Sequence, residues 1–231
     1  MQRIVVLNPK GGSGKTTIAI NLASYYALSG EQPALLDYDP QASAARWARK
    51  RQVTQAPVHL ITAFEKDNRV TRAFQLRIPE ATRRVIIDTP AAVDATEMPA
   101  LTANADKILV PVLPSDIDIQ ACVRSIASLL LVAKVRRTDN RLAIIANRVR
   151  RNTLMYQSLT RFLATLDIPI IATLRDSQNY VRGAELGLGI HEMKHYQVSE
   201  DLQSWERMLA WLNEPTGQRI APVAVAPPLF A

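Results

Sequence analysis

The stretch "LNPKGGSGKTT" at residues 7–17 is a glycine-rich loop that departs from the common phosphate-binding pattern G-x-x-x-x-G-K-[ST]. Pro9 stands where the first glycine of that pattern belongs, and an additional lysine, Lys10, follows it. The apolar run "RIVVLN" at 3–8 predicts a buried strand, and "TTIAINLASYYALSG" at 16–30 predicts a helix that ends at a glycine. A glycine loop between a strand and a helix is the context in which such a motif binds phosphate.

Apolar runs continue along the chain and alternate with helical patterns, of which we expect the longest at about 116–136. Nearly continuous apolar strands favour a three-layer α/β fold, with a mostly parallel twisted sheet covered by helices on both faces. We expect a single domain over 1–213. The six further predicted strands are 33–39, 58–63, 83–91, 107–114, 141–148 and 168–175.

The last 18 residues, 214–231, form a proline-rich C-terminal tail that cannot continue a helix. Two interpretations remain open for it. The tail is either an extension packed on the surface or a peptide that docks in a groove of a partner.

The net charge of +7 and a pI near 9.8 suggest a polyanionic partner. Ten lysines and arginines and three acids lie between residues 134 and 182, and this local excess equals that of the whole chain. The segment is either a nucleic-acid surface or a basic face that serves solubility.

Composition also excludes several classes of protein. The single cysteine, Cys122, excludes a disulfide framework within the chain and a cysteine-rich metal site. The N-terminus predicts a first strand and not a signal peptide. No apolar run reaches 18 residues, so we expect no membrane span.

The glycine loop has the chemistry of a phosphate cradle. Gly11, Gly12 and Gly14 allow the backbone to approach phosphate oxygens with its N–H groups turned inward, and the helix N-terminus adds partial positive charge. Lys15 is expected to reach the β- and γ-phosphates, and the Thr16 hydroxyl to ligate Mg²⁺.

Carboxylates for a magnesium site follow two of the predicted strands. "LLDYDPQ" supplies Asp37 and Asp39, which would share one face of an extended strand, and "VIIDTP" supplies Asp88. An isolated acid at a strand end is often a helix cap. Three acids at strand ends beside a phosphate loop are better explained by Mg²⁺ and its water ligands.

Four segments together resemble the ParA/MinD family: "NPKGGSGKTT", "LLDYDPQAS", "VIIDTPA" and "ANRVRRNT". They are similar to its deviant Walker A, A′ and B segments and its later nucleotide-base segment. The resemblance covers roughly 1–213 and is strongest to small ParA-type partition ATPases such as ParF and the McdA-like positioning ATPases. It implies a P-loop NTPase of the deviant Walker A (SIMIBI) type, without an N-terminal helix-turn-helix domain.

The resemblance also implies a role for each matching residue. Lys10 would contact phosphates bound in the partner subunit of an ATP-sandwich dimer, Lys15 would serve its own subunit, and Asp39 would position or activate the attacking water. Thr16, Asp37, Asp39 and Asp88 would form the surroundings of Mg²⁺, with Asp37 as a neighbour of the metal and Asp88 acting through water. The implied nucleotide-binding residues are Lys10, Gly11, Gly12, Ser13, Gly14, Lys15, Thr16, Thr17 and, near adenine, Asn147.

The implied function is an ATP-dependent partition or positioning ATPase in the cytoplasm, associated with the nucleoid. Its ATP-bound homodimer would bind DNA without sequence preference, and a ParB-like or McdB-like adaptor would stimulate hydrolysis and release it. The cargo would be a plasmid, a chromosome or another large body, and no membrane would be involved. The candidate DNA contacts are Arg150, Arg151, Arg175 and Arg182; the last two would share a helix face if one helix contains both.

Four alternatives fit less well. A MinD-like membrane-associated regulator would need a basic amphipathic C-terminal helix, whereas the tail is proline-rich. A metabolic ATP-dependent enzyme, such as a carboxylase of the dethiobiotin synthetase type, would need a substrate pocket that the sequence does not identify. An electron donor of the nitrogenase-reductase type needs two cysteines per subunit. A DNA-binding module without hydrolysis would leave Lys10 and Asp39 unexplained.

Overall fold

The structure, a computed structural model, describes residues 1–65, 71, 75–150 and 153–216. The strands are β1 (Gln2–Val6), β2 (Ala34–Asp37), β3 (His59–Thr62), β4 (Arg84–Asp88), β5 (Lys107–Val112), β6 (Leu142–Val149) and β7 (Ile170–Arg175). The α-helices in these ranges are α1 (Lys15–Leu28), α2 (Ser43–Lys50), α3 (Met98–Thr102), α4 (Asp116–Leu131), α5 (Leu154–Ala164), α6 (Gln178–Glu185) and α7 (His195–Asn213).

The described strands form one seven-stranded sheet in the order β3-β2-β4-β1-β5-β6-β7, and every pairing is parallel. Because all strands run the same way, their carboxyl ends meet at one edge. The register aligns Asp88 with Val6 of β1 on one side and with Asp37 of β2 on the other. The loop that follows β1 therefore begins beside two carboxylates.

Helices cover both faces of the sheet, and the alternation of side chains along each strand supplies both cores. In β1, Val5 packs in the core under α3, α4 and α5, whereas Ile4 and Val6 pack in the core under α1, α2 and α7. All three side chains are fully buried. Burial on both faces explains why the strand sequences are apolar runs without polar alternation.

The predicted three-layer parallel α/β fold is confirmed, and each of the seven predicted strands overlaps an observed one. The prediction of the longest helix was wrong. Among the described helices α7 is the longest, with 19 residues, and α4 ends at Leu131. Lys134 has a φ of 54°, which no helix accommodates, so the segment leaves the helical path before β6.

The basic excess of residues 134–182 is divided between opposite ends of the molecule. Lys134, Arg136 and Arg137 precede β6, whereas Arg148 and Arg150 lie where it ends. Strand β6 is eight residues long, about 25 Å, and the two groups lie at its opposite ends. The basic residues placed here therefore lie in two separate groups.

In the described part of the chain, no helix is both long and apolar enough to cross a membrane.

Candidate functional site

The glycine loop after β1 holds two glycines in conformations that other residues rarely adopt. Gly12 has a φ of 76° and Gly14 a φ of 95°, both in the left-handed region. At Gly14 a side chain is also excluded by contact, because a Cβ there would lie 2.0 Å from Nδ2 of Asn147. Gly14 is the residue that caps α1, so this geometry fixes how the helix begins.

Hydrogen bonds within the loop and to β5 hold its shape. Asn8 is fully buried; its Nδ2 donates to the Pro111 carbonyl at 2.6 Å, and its Oδ1 accepts from the Lys10 amide at 2.9 Å. The Ser13 hydroxyl donates to the Lys10 carbonyl at 3.2 Å. Such preorganisation lets backbone N–H groups face an anion without a further ordering cost.

Lys15, in the first turn of α1, is 6% exposed, and its Nζ donates to the Lys10 carbonyl at 3.1 Å. Burial lowers the pKa of this ammonium group, and the nearby Asp88 and Asp39 carboxylates oppose that effect. A partly desolvated ammonium held against the loop is suited to bind phosphate oxygens strongly, because little water screens the interaction.

Asp88, the last residue of β4, is a fully buried carboxylate at the centre of the site. Neither of its oxygens accepts a hydrogen bond from a described residue. Burial raises its pKa to about 7, while the Thr16 hydroxyl beside it, outside hydrogen-bonding geometry, partly offsets that rise. A buried carboxylate without partners is costly unless a ligand completes it, and Mg²⁺ with its water ligands has the matching chemistry.

The expectation that Asp37 and Asp39 share one face of a strand was wrong. Strand β2 ends at Asp37, whose Oδ1 accepts from the Asp39 amide at 3.0 Å and whose Oδ2 accepts from the Ala45 amide at 2.9 Å. The hydrogen bond from the Asp39 amide to the Asp37 side chain turns the chain directly after the strand. Asp37 thus holds the start of α2, and Asp39 lies in the turn, where its Oδ1 accepts from the Gln41 amide.

Among the residues that the structure describes, no group of three or more His, Cys, Asp or Glu side chains could hold a metal alone. That is compatible with a magnesium–nucleotide site, because Mg²⁺ there binds mainly phosphate oxygens and water, with one or two protein ligands.

Lys10 extends into its own subunit. Its Nζ lies 2.6 Å from Oδ2 of Asp118, in the first turn of α4. The lysine side chain is 32% exposed and the aspartate 4%. Asp118 is not among the residues predicted from the sequence. Its signal was the pattern Ser115-x-x-Asp118 at a helix start, where the Ser115 hydroxyl caps the Asp118 amide.

Asn147, in β6, contacts the loop itself. Its Nδ2 donates to the Ser13 carbonyl at 2.8 Å, and the residue is 5% exposed. Asn147 is therefore a residue that positions the phosphate loop in this structure.

In α1, the Thr17 carbonyl accepts from Nδ2 of Asn21 at 2.7 Å, and this hydrogen bond connects the first turn of the helix to its second.

The proposed DNA contacts have different surroundings. Arg175 ends β7, before α6 begins at Gln178, so no single helix contains Arg175 and Arg182. Arg175 donates to the fully buried Asp201 at 2.6 Å, and the exposed Arg150 pairs with Asp176 at 3.0 Å. Arg182 is exposed on α6 and forms no ion pair with a described residue. Arg151 lies outside the described residues.

The carboxyl edge of the sheet thus gathers most of the predicted site residues around one loop. Asp37 and Asp88 are adjacent in the register, Asn147 touches the loop from β6, and Lys10 and Lys15 both belong to it. Two ammonium groups and a buried carboxylate beside a glycine loop can bind a polyphosphate with its cation and neutralise charge during phosphoryl transfer.

Comparison with known proteins agrees with this geometry. The family model of the CobQ/CobB/MinD/ParA nucleotide binding domain matches residues 4–190. Two proteins to which this chain is similar carry the name "Maintenance of carboxysome distribution protein A". The one from Gloeobacter kilaueensis is 35% identical over 123 residues, which are 53% of this chain and about half, 54%, of that protein. The one from Halothiobacillus neapolitanus is 28% identical over 175 residues, 74% of this chain and 77% of that one.

A solved structure of apo McdA from Cyanthece has the same fold, with a TM-score of 0.69 and 16% identity over 90% of this chain and 99% of that one. The fold is that of the P-loop NTPases with a deviant Walker A loop, as the sequence predicted.

Proposed function

The chain belongs to the CobQ/CobB/MinD/ParA family of nucleotide-binding domains, and from this premise we propose that it is an ATPase of the partition and positioning type. The observation that carries the proposal is the loop with two lysines beside a buried carboxylate that accepts no hydrogen bond from a described residue. Lys10 and Lys15 share this loop, and Asp88 lies at the end of the adjacent strand.

The Thr16 hydroxyl and Asp88, the latter through water, would hold Mg²⁺, which would neutralise charge on the phosphates. Lys15 binds the β- and γ-phosphates of ATP in its own subunit. Asp39 lies in the turn after β2, where one carboxylate oxygen holds the turn and the other is able to orient the attacking water. Asp37 keeps this turn and the start of α2 in place.

Lys10 couples ATP hydrolysis to dimerisation. Extended from one subunit to the phosphates of another, it stabilises the charge that develops during phosphoryl transfer, as an arginine finger does. Hydrolysis then depends on dimerisation, and bound ATP sets the assembly state.

The ATP-bound homodimer binds DNA through basic residues at the carboxyl edge of the sheet. Arg182 and Arg150 are its best-placed phosphate contacts, because both are exposed. Contacts of this kind give affinity without sequence preference, which suits a protein that uses the nucleoid of the cytoplasm as a matrix.

An adaptor of the ParB or McdB type stimulates hydrolysis and releases the dimer from DNA. The similarity to two carboxysome distribution proteins supports a large cargo of that kind. The matched segment is about half of the first relative's length. This similarity does not single out one cargo, so the proposal also includes a plasmid or a chromosome as the cargo.

The test is ATP hydrolysis and oligomeric state, each with and without DNA, for the wild type and two variants. Lys10→Ala should abolish hydrolysis while retaining nucleotide binding, because Lys15 still holds the phosphates. Asp39→Ala should give a persistent ATP dimer on DNA. Normal turnover by the Lys10 variant would refute the role of Lys10 across the dimer. ATP-dependent binding to anionic vesicles in place of DNA would favour a MinD-like regulator.

A further inference from the structure

The contact between Lys10 and Asp118 joins the proposed trans-acting lysine to a residue that the phosphate chemistry does not use. The carboxylate is 4% exposed and points into its own subunit at the start of α4. Its Oδ2 receives both the Lys10 ammonium and the Ser115 hydroxyl, and its Oδ1 has no hydrogen-bond partner among the described residues. Among the described residues, Lys10 is therefore the cationic partner of the nearly buried Asp118 carboxylate.

The two positions of Lys10 exclude one another. An ammonium group 2.6 Å from an inward-pointing carboxylate cannot at the same time extend out of its own subunit to a phosphate in a second one. Among the described residues, removing Lys10 from Asp118 leaves this buried charge with the Ser115 hydroxyl as its side-chain partner, and such a separation is strongly unfavourable.

We propose that Asp118 is a holding residue that keeps Lys10 in its own subunit and thereby opposes ATP-dependent dimerisation. This inference rests on the proposed function, because it presumes that Lys10 acts across the dimer. Only the fraction of chains whose Lys10 is released is competent to dimerise, so the apparent affinity between subunits falls by that fraction. The pair thus sets the threshold at which ATP assembles the protein.

The chain offers a matched control in the same helical turn. Asp116 is exposed, two residues before Asp118, and its replacement by asparagine removes the same charge without touching Lys10. Asp118→Asn keeps an oxygen that accepts from the Ser115 hydroxyl, so the start of α4 is preserved. Far-UV circular dichroism and thermal unfolding check that both variants fold.

The experiment measures the dimer dissociation constant by sedimentation with a saturating non-hydrolysable ATP analogue. Asp118→Asn should lower this constant at least tenfold, which corresponds to about 1.4 kcal/mol, and Asp116→Asn should leave it near the wild-type value. In a Lys10→Ala background, Asp118→Asn should have no further effect, because nothing remains to be held.

The other outcomes separate the two hypotheses. Weaker or unchanged dimerisation of Asp118→Asn overturns the holding role, as does an effect that persists in the Lys10→Ala background. If either of these results is found and Lys10→Ala does not hydrolyse ATP, the proposed function stands and only the holding role is overturned. If the wild type forms no dimer with the analogue, or Lys10→Ala hydrolyses ATP normally, the proposed function falls and the holding role with it.

Discussion

Among single residues, the close approach of Gly14 and Asn147 controls the shape of the phosphate loop. Gly14→Ala should weaken nucleotide binding severely, because the new Cβ would meet Nδ2 of Asn147 and the left-handed backbone would be strained. Asn147→Ala should weaken binding more mildly, by roughly 2- to 10-fold, because one hydrogen bond to the Ser13 carbonyl is lost. Titration with a fluorescent ATP analogue measures both effects.

The double variant separates the two causes of the Gly14 defect. With Asn147→Ala in place the steric conflict is gone, and the backbone strain remains. Gly14→Ala should therefore lower affinity by a smaller factor in this background than in the wild type. Equal factors in both backgrounds would mean that the contact with Asn147 is irrelevant.

Lys107 is a second residue whose environment predicts a measurable effect, far from the nucleotide site. It is fully buried at the amino end of β5; its Nζ donates to the Asn140 carbonyl at 2.9 Å and lies 4.0 Å from the Trp211 ring centroid. Burial lowers the pKa of Lys107 to about 8 from its ordinary 10.5, and the Glu214 and Asp106 carboxylates oppose that shift.

Between pH 8 and 10.5 the folded chain therefore holds fewer protons at Lys107 than the unfolded chain does. The contribution of Lys107 to the free energy of unfolding should rise with pH in this interval, on the order of 2–3 kcal/mol. Urea unfolding of the wild type and Lys107→Met at pH 7.5, 9 and 10 measures it. The buried Tyr26 and Cys122, whose pKa values are raised, act in the opposite direction, so the difference between the two proteins is the informative quantity.

Among elements, a buried ion pair joins Arg51, the residue directly after α2, to the segment 187–192. Arg51 contacts both carboxylate oxygens of Glu192, at 2.7 and 2.8 Å, and the two side chains are 7% and 6% exposed. The same segment reaches α1, since the Ile190 amide donates to Oδ1 of Asn21 at 2.7 Å. The pair thus connects two helices that flank the nucleotide site.

Arg51→Ala should lower the free energy of unfolding by about 3–5 kcal/mol, because Glu192 would remain buried without its partner. Arg51→Met combined with Glu192→Leu should lower it less, since no charge is left unpaired. The control is Arg49→Ala on the exposed face of α2, with a change within about 0.5 kcal/mol. Urea denaturation at constant pH measures these changes. A small decrease in the free energy of unfolding for Arg51→Ala would contradict an ion pair that is shielded from water.

The sequence predicts elements better than it predicts contacts between them. Apolar runs identify the seven described strands, because both faces of the inner strands are buried, and the motif identifies the loop before α1. The position of Asp88 also follows from the sequence, since parallel strands end at one edge. The turn at Asp39 could not be predicted from the sequence. The Asp39 amide donates to the Asp37 side chain, and this hydrogen bond ends the strand before the position predicted from the apolar run.

Contacts that depend on tertiary packing have no local signal. The pair between Lys10 and Asp118 joins residues more than a hundred positions apart, and the sequence shows only a helix cap at Asp118. Likewise the resemblance implies a place for Asn147 near adenine, but the sequence carries no sign that its amide also donates to the Ser13 carbonyl of the loop. The residue types of the site could be predicted, and their partners could not.

Across the whole molecule, the distribution of charge decides how DNA binding should be tested. Arg175 is a poor probe, because its guanidinium neutralises the fully buried Asp201, and replacing it would disturb the fold. Arg182 is exposed without an ion pair to a described residue, and it lies on α6, the helix that begins just after the carboxyl end of β7. Arg137 is exposed near the opposite, amino end of β6.

Arg182→Glu should weaken ATP-dependent DNA binding and reduce the slope of log affinity against log salt concentration by about 2, one phosphate contact per subunit of the dimer. Arg137→Glu changes the net charge equally at the other end of the molecule and should leave the slope near that of the wild type. Fluorescence anisotropy with duplexes of unrelated sequence measures both. If the two variants lose affinity equally, net charge and not the α6 surface attracts DNA, because only a local contact distinguishes one end of the sheet from the other.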